Sequence, residues 1–233
     1  MQSWRTPDAE KTMPMAIKKL VKIPVGGIAI EGMLELPEST IGLVLFAHGS
    51  GSSRYSPRNN YVAQVLHHSG IGTLLMDLLT PEEDIDYQTR FDIPLLTQRL
   101  LAATLWVKTE ELTKNIPIGF FGASTGAAAA LQAAALMGED ISAVVSRGGR
   151  PDMAGQSNLE KVKAPTLLLV GGLDDMVIEL NRAAYSVMSC KKDLSIINGA
   201  THLFEEPDTL ENVAYQASAW FTQHFKSFSA ASQ

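Results

Sequence analysis

Residues 118–131 read Ile118-Gly119-Phe120-Phe121-Gly122-Ala123-Ser124-Thr125-Gly126-Ala127-Ala128-Ala129-Ala130-Leu131. An apolar run stops at Gly122, one hydroxyl stands between two glycines, and an alanine-rich helix former follows. That order predicts a buried strand, a sharp turn, and a helix laid close on the sheet. The turn leaves little room beside its serine. Gly122 and Gly126, two positions either side of Ser124, let strand and helix approach, and Ala123 and Ala127 keep the turn narrow. The serine oxygen then stands proud of the sheet at a helix N-terminus, where the dipole and free N–H groups favour negative charge.

Gly-x-Ser-x-Gly alone admits two readings. Ser124 is a nucleophile, or it is the N-cap of a helix after a glycine-rich turn. A phosphate-binding loop does not fit, because the spacing Gly-x-Gly-x-x-Gly is absent at this turn and no lysine follows Gly126. The choice rests on an acid, a histidine and a second oxyanion donor elsewhere in the chain.

Towards the N-terminus, Ile17–Val25 and Ile28–Leu36 alternate around Gly26-Gly27 and predict a β-hairpin. Residues 42–47 form a continuous apolar run, as in a strand covered on both faces. It opens into His48-Gly49-Ser50-Gly51-Ser52-Ser53-Arg54, a loop rich in free N–H groups. A helix over Pro57–Ser69 closes at Gly70, and Gly72–Asp77 is a further buried strand. Leu78–Arg90 reads as an acidic surface loop able to fold over a site, and Asp92–Thr113 as a long amphipathic helix.

Beyond Ser124 the helix ends near Gly138, and strands follow at Ile141–Ser146, Pro165–Val170 and Leu194–Ile197. Helices are predicted over Ile178–Ser189 and Thr209–Phe228, the last with Val213, Trp220, Phe221 and Phe225 to pack on the sheet. Strand alternating with helix gives an α/β fold, a doubly wound and mostly parallel sheet with helices on both faces and an antiparallel hairpin at its start. The short segment between residues 146 and 165 leaves no space for a large cap domain. Met1–Met15 reads as a loosely held arm, and residues 16–233 as one domain.

Composition narrows the partners. The 233 residues are 45% hydrophobic and 19% charged with a net charge of −6, which argues against nucleic acid or an anionic membrane as partner. No apolar run reaches the length of a membrane span, and residues 1–15 lack the apolar core of a signal peptide. The single cysteine, Cys190, rules out a disulfide framework and suits a reducing cytoplasm. No His/Cys/Asp cluster has metal-ligand spacing. Oligomeric state is left open.

Three polar residues fall in loops after separate strands: Ser124, then Asp174 or Asp175, then His202. Such loops leave a parallel sheet at one carboxyl edge, so the three can converge. Asp174 comes first after its strand, and Asp175 suits the first turn of a helix; capping is the alternative for either. Asp77 and Asp152 are weaker rivals, and His67, His68 and His224 fall in helical patterns. His48 reads as a loop brace rather than a base.

With Phe46-Ala47-His48-Gly49-Ser50-Gly51, Gly122-Ala123-Ser124-Thr125-Gly126, Gly171-Gly172-Leu173-Asp174 and Ala200-Thr201-His202-Leu203-Phe204 in this order, the chain resembles an α/β-hydrolase of the dienelactone hydrolase family from Ile28 to Phe225. Dienelactone hydrolase itself has a cysteine nucleophile where this chain has Ser124. The resemblance implies a Ser124–His202–Asp174 triad and a carboxylesterase-like hydrolase of small esters, lactones or thioesters. It implies an oxyanion hole from the N–H groups of Thr125 and Ser50, and no metal or cofactor. A binding or regulatory module that kept the fold is the rival from another class; a dehalogenase would need a carboxylate at position 124. Arg54, Arg58, Arg147 and Arg150 fall in loops at the same edge. Each either braces its loop or recognises an anion on a substrate, with Arg54 and Arg147 the candidates for the second role.

Overall fold

The structure is a computed structural model that describes residues 15–231. The arm expected over Met1–Met15 therefore lies, except for its last residue, outside the described residues. Eight strands form one sheet: β1 (Met15–Val25), β2 (Ile28–Pro37), β3 (Gly42–Ala47), β4 (Ile71–Met76), β5 (Ile118–Ala123), β6 (Ile141–Arg147), β7 (Thr166–Gly171) and β8 (Lys192–Ile197). Their order is β1-β2-β4-β3-β5-β6-β7-β8. The hairpin β1–β2 is antiparallel and joins β4 antiparallel, and every pairing from β4 through β8 is parallel. All parallel strands thus end at one edge, where the loops that follow them can meet.

Helices α1 (Pro57–His68) and α6 (Thr209–Ala231) cover one face, and α2 (Ile93–Val107) and α3 (Thr125–Met137) the other. The cause is legible in β3. Leu43, Leu45 and Ala47 pack with α2 and α3, while Val44 and Phe46 pack with α1 and α6. A strand with apolar residues on both parities needs a helical layer on each side. Phe221 and Phe225 of α6 press on Gly119 and Gly42, whose missing side chains make the room. The short α4 (Gln156–Leu159) and α5 (Asp175–Val187) complete the second layer.

Several boundaries differ from the sequence reading, three of them with a local cause. Helix α2 ends at Val107, not Thr113, because Thr113 folds back and its hydroxyl donates to the Val107 carbonyl. Helix α5 begins at Asp175, three residues before Ile178, because the Asp174 carbonyl already accepts the Ile178 N–H (2.9 Å) and closes the first turn there. The segment expected as irregular over Leu78–Arg90 holds two short 3₁₀ turns, Glu83–Ile85 and Thr89–Phe91.

The turn after β5 is as tight as its glycines demand. A Cβ at Gly126 would lie 2.1 Å from the Ala47 carbonyl oxygen, and one at Gly122 would lie 2.4 Å from the Cα of Ala127. Both neighbours are backbone and cannot swing aside. Gly126→Ala is expected to destabilise the protein by about 3 kcal/mol or more. Gly27→Ala, where a Cβ meets nothing within 4 Å, should stay within about 0.5 kcal/mol of wild type. Urea unfolding of the pair checks this, and equal midpoints would contradict it.

Candidate active site

Ser124 has φ 51° and ψ −119°. A residue with a Cβ reaches this region only at a cost, and here the turn between β5 and α3 enforces it. Its N–H donates to the Arg147 carbonyl (3.1 Å), and its carbonyl accepts from Ala127 (3.1 Å) and Arg150 (3.1 Å). Ser124 occupies the N-cap position of α3, yet its hydroxyl makes no capping bond. Instead Oγ–H donates to Nε2 of His202 at 3.3 Å.

Asp174 repeats the pattern. It stands at the N-cap of α5 without capping it, and its Oδ2 accepts from Nδ1–H of His202 at 2.6 Å. With Nδ1 donating to the carboxylate, Nε2 is left as the acceptor facing Ser124. Asp175 is exposed in the first turn of α5. Asp77 and Asp152 are bonded elsewhere, Asp77 to Arg54 and Asp152 to Arg150. The structure therefore brings together the three residues singled out after separate strands, and gives both helix-capping alternatives no hydrogen bond.

The loop carrying His202 is locked by residues that its sequence motif did not reveal. Phe204, two positions on, is fully buried with φ 55°, so packing holds a strained backbone in place. Glu206 receives the Thr201 N–H (3.0 Å) and hydroxyl (2.6 Å). These bonds hold its carboxyl below the ordinary range, the Thr201 hydroxyl contributing most. Nothing in the residue types near position 202 announces this clasp, because Glu206 also fits a plain turn before α6.

The loop after β3 is braced by His48. Its Nδ1–H donates to the Gly49 carbonyl (2.9 Å), and its Nε2 accepts the Leu78 N–H (3.0 Å). The ring is buried and burial pushes its pKa down, so both bonds persist with a neutral imidazole. The Ser50 N–H donates to the Thr125 hydroxyl at 3.0 Å, which ties the loop after β3 to the first residue of α3. Beside His48 a cavity of about 160 Å³ opens between Ser52, Asp77, Leu79, Thr80 and Asp84. Loop 78–91 thus flanks the loop after β3.

The two candidate anion-binding arginines part ways. Arg54 is not free for a substrate: its guanidinium pairs with Asp77 and Glu31 (2.7 Å to Glu31) and lies 4.4 Å from the centre of the Tyr55 ring. Arg147, at the end of β6, is buried and pairs with no carboxylate among the described residues. His67 is engaged with Thr73 and His68 with the Gln64 carbonyl. Among the described residues no group of three His, Cys, Asp or Glu side chains is placed to hold a metal ion, and no helix is long and apolar enough to cross a membrane.

Comparison with known proteins follows the same line. The dienelactone hydrolase family model matches residues 74–231. A dienelactone hydrolase from Anabaena variabilis, solved by crystallography, is 53% identical, with a TM-score of 0.87 over 89% of this chain and 98% of its own. Est1E from Butyrivibrio proteoclasticus shares the fold at 17% identity (TM-score 0.76, 89% of this chain and 99% of that one). A Mycobacterium tuberculosis protein provisionally named a phosphoribosyl transferase is 55% identical over 204 residues, 88% of this chain. The chain spans about half of that relative, 46% of its length. With its elbow at Ser124, its strand order and its match over residues 74–231, the chain belongs to the dienelactone hydrolase family and has the α/β-hydrolase fold.

Proposed function

We propose that the protein is a serine hydrolase that cleaves small carboxylic esters, lactones or thioesters through an acyl-enzyme. The observation that carries this reading is the chain of contacts Asp174–His202–Ser124, 2.6 Å and then 3.3 Å. His202 takes the Ser124 proton as Oγ attacks the carbonyl carbon, then returns it to the leaving group. A water enters by the same route in reverse and frees the acid. Asp174 stabilises the imidazolium that each step creates.

Negative charge develops on the carbonyl oxygen during each attack. The N–H of Thr125 is one donor to it, and the Ser50 N–H, shared with the Thr125 hydroxyl until then, is the other. Exposed Leu173, Met176 and Leu203, close in sequence to Asp174 and His202, give an apolar acyl or alcohol group a surface to lie on. No step calls for a metal or cofactor. One cysteine and an acidic surface suit a cytoplasmic enzyme working on small molecules.

The transferase name of the mycobacterial relatives belongs to chains about twice as long. The triad lies in the stretch matched by the hydrolase family model, so the hydrolytic reading is the one this chain's residues support. A fluorophosphonate probe tests it directly. Covalent labelling confined to Ser124, with turnover of p-nitrophenyl acetate, is expected; no label on Ser124 would favour a binding module instead.

His48 gives a second test, away from the triad. His48→Ala removes the tie between the oxyanion loop and Leu78, and is expected to lower kcat roughly 10-fold to 100-fold, as a misplaced oxyanion donor does. KM for a neutral ester should change less, because the brace acts on the transition-state charge. Steady-state kinetics on p-nitrophenyl esters read both numbers, and an unchanged kcat would remove His48 from this role.

A further inference from the structure

Arg147 is the unusual charge of this site. It is 7% exposed, and its Nε and Nη1 are buried without a hydrogen-bond partner. A buried guanidinium is ordinarily paired, since desolvating it without compensation is costly. The charge acting on it is another cation, Arg58; burial first and that neighbour second push its pKa down to about 10. It is still a full positive charge at neutral pH.

The position fits a substrate rather than a brace. The Arg147 carbonyl holds the Ser124 N–H (3.1 Å), so the residue adjoins the nucleophile in the sheet. Its side chain continues the face of Ala143 and Val145, on the α1 and α6 side, where the guanidinium lies 5.8 Å from the centre of the Phe204 ring. Phe204 follows His202 by two residues, so the charge sits beside the histidine loop. Ring and cation attract each other, but the ring face accepts none of the in-plane N–H groups.

Arg58 completes the wall. It lies in the first turn of α1, which carries no acidic residue. Its Nη1 makes one exposed contact, to Glu205 at 3.3 Å, and its Nε is also buried without a partner. Two neighbouring guanidinia on the side of the histidine loop are therefore set against one half-exposed carboxylate, Glu205. We propose that Arg147 and Arg58 form a subsite for an oxyanion substituent, a carboxylate or a phosphate, carried by the ester that Ser124 cleaves. The proposal rests on the hydrolytic reading above and adds the charge class of the substrate.

The test compares two esters with the same five-carbon acyl chain, p-nitrophenyl valerate and the mono-p-nitrophenyl ester of glutaric acid. The measured quantity is the ratio of kcat/KM, acidic over neutral, so a general loss of activity cancels. Arg147→Gln is expected to lower that ratio about 100-fold and Arg58→Gln about 5-fold to 10-fold, the loss of a buried and of a part-exposed charged hydrogen bond. Glutarate and inorganic phosphate, tested as competitive inhibitors of valerate hydrolysis, separate the two sources: the stronger inhibitor names the group. A ratio moved by neither substitution overturns the proposal, as does inhibition by neither ion. Should Arg147→Gln not fold, the Arg58→Gln ratio and inhibition of the wild type decide. Failure of the hydrolytic reading shows separately, as no turnover of either ester and no fluorophosphonate label. Stabilisation of the intact protein by inorganic phosphate or glutarate, and its weakening in Arg58→Gln, then reads the subsite without activity.

Discussion

Ser124→Ala is expected to reduce kcat/KM for p-nitrophenyl acetate by about 10⁴-fold or more, the range found when a triad serine is removed and only binding and the oxyanion hole remain. The same substitution should leave the folded state almost unharmed. Its hydroxyl makes one hydrogen bond, at 3.3 Å, and caps nothing, so the loss of stability is at most about 1 kcal/mol. Ser124→Gly separates the two effects further. The backbone at position 124 sits at φ 51°, where a Cβ is strained by about 1–3 kcal/mol. Glycine relieves that strain while loosening the unfolded chain, and a net gain of about 1 kcal/mol in urea unfolding is expected. An inactive variant more stable than wild type would show that the turn holds strain for the sake of the hydroxyl. Residual turnover within about tenfold of wild type in either variant would remove Ser124 as the nucleophile.

The strained serine was legible before any coordinates because the motif lists what the geometry forbids. Only glycine fits at 122 and 126, where a Cβ would run into backbone, and the sequence places glycine at both. Strand identities were equally legible, since continuous apolar runs such as residues 42–47 mark strands covered twice. Helix ends were less so: Thr113 looks like a continuation of α2 until its hydroxyl is seen capping Val107. Charges were the least legible. Arg54 and Arg147 look alike in a string, both following buried strands or their loops. One is claimed by Asp77 and Glu31, 23 residues away in either direction, and the other meets no acid among the described residues. Residue type fixes what a side chain can bond, and only the fold fixes whether a partner is present. Glu206 shows the converse, an ordinary turn residue made structural by the backbone of Thr201.

Asp174→Asn tests the remaining link of the triad, and with it the choice between two adjacent aspartates. The carboxylate accepts from Nδ1–H of His202 at 2.6 Å with its side chain 17% exposed, a short contact whose acceptor is largely shielded from water. An asparagine of the same shape can turn its NH₂ toward Nδ1, which makes Nδ1 the acceptor and moves the ring proton to Nε2. Nε2 then faces Ser124 carrying a proton and cannot take another, and the imidazolium that forms on attack has no counter-charge. A loss of about 10³-fold to 10⁴-fold in kcat follows, with KM for a neutral ester little altered. The loss should shrink as pH rises, because hydroxide progressively replaces the missing base in the deacylation step. Asp175→Asn is the matched control: this side chain is exposed in the first turn of α5, so only its interaction with the helix dipole is lost. Its cost should be about 0.3–1 kcal/mol of stability and less than about threefold in kcat. If the two substitutions cost kcat equally, or if Asp175→Asn costs more, then the carboxylate seated against His202 is not the one that orients it during turnover, and the triad would have to be redrawn through the neighbouring residue.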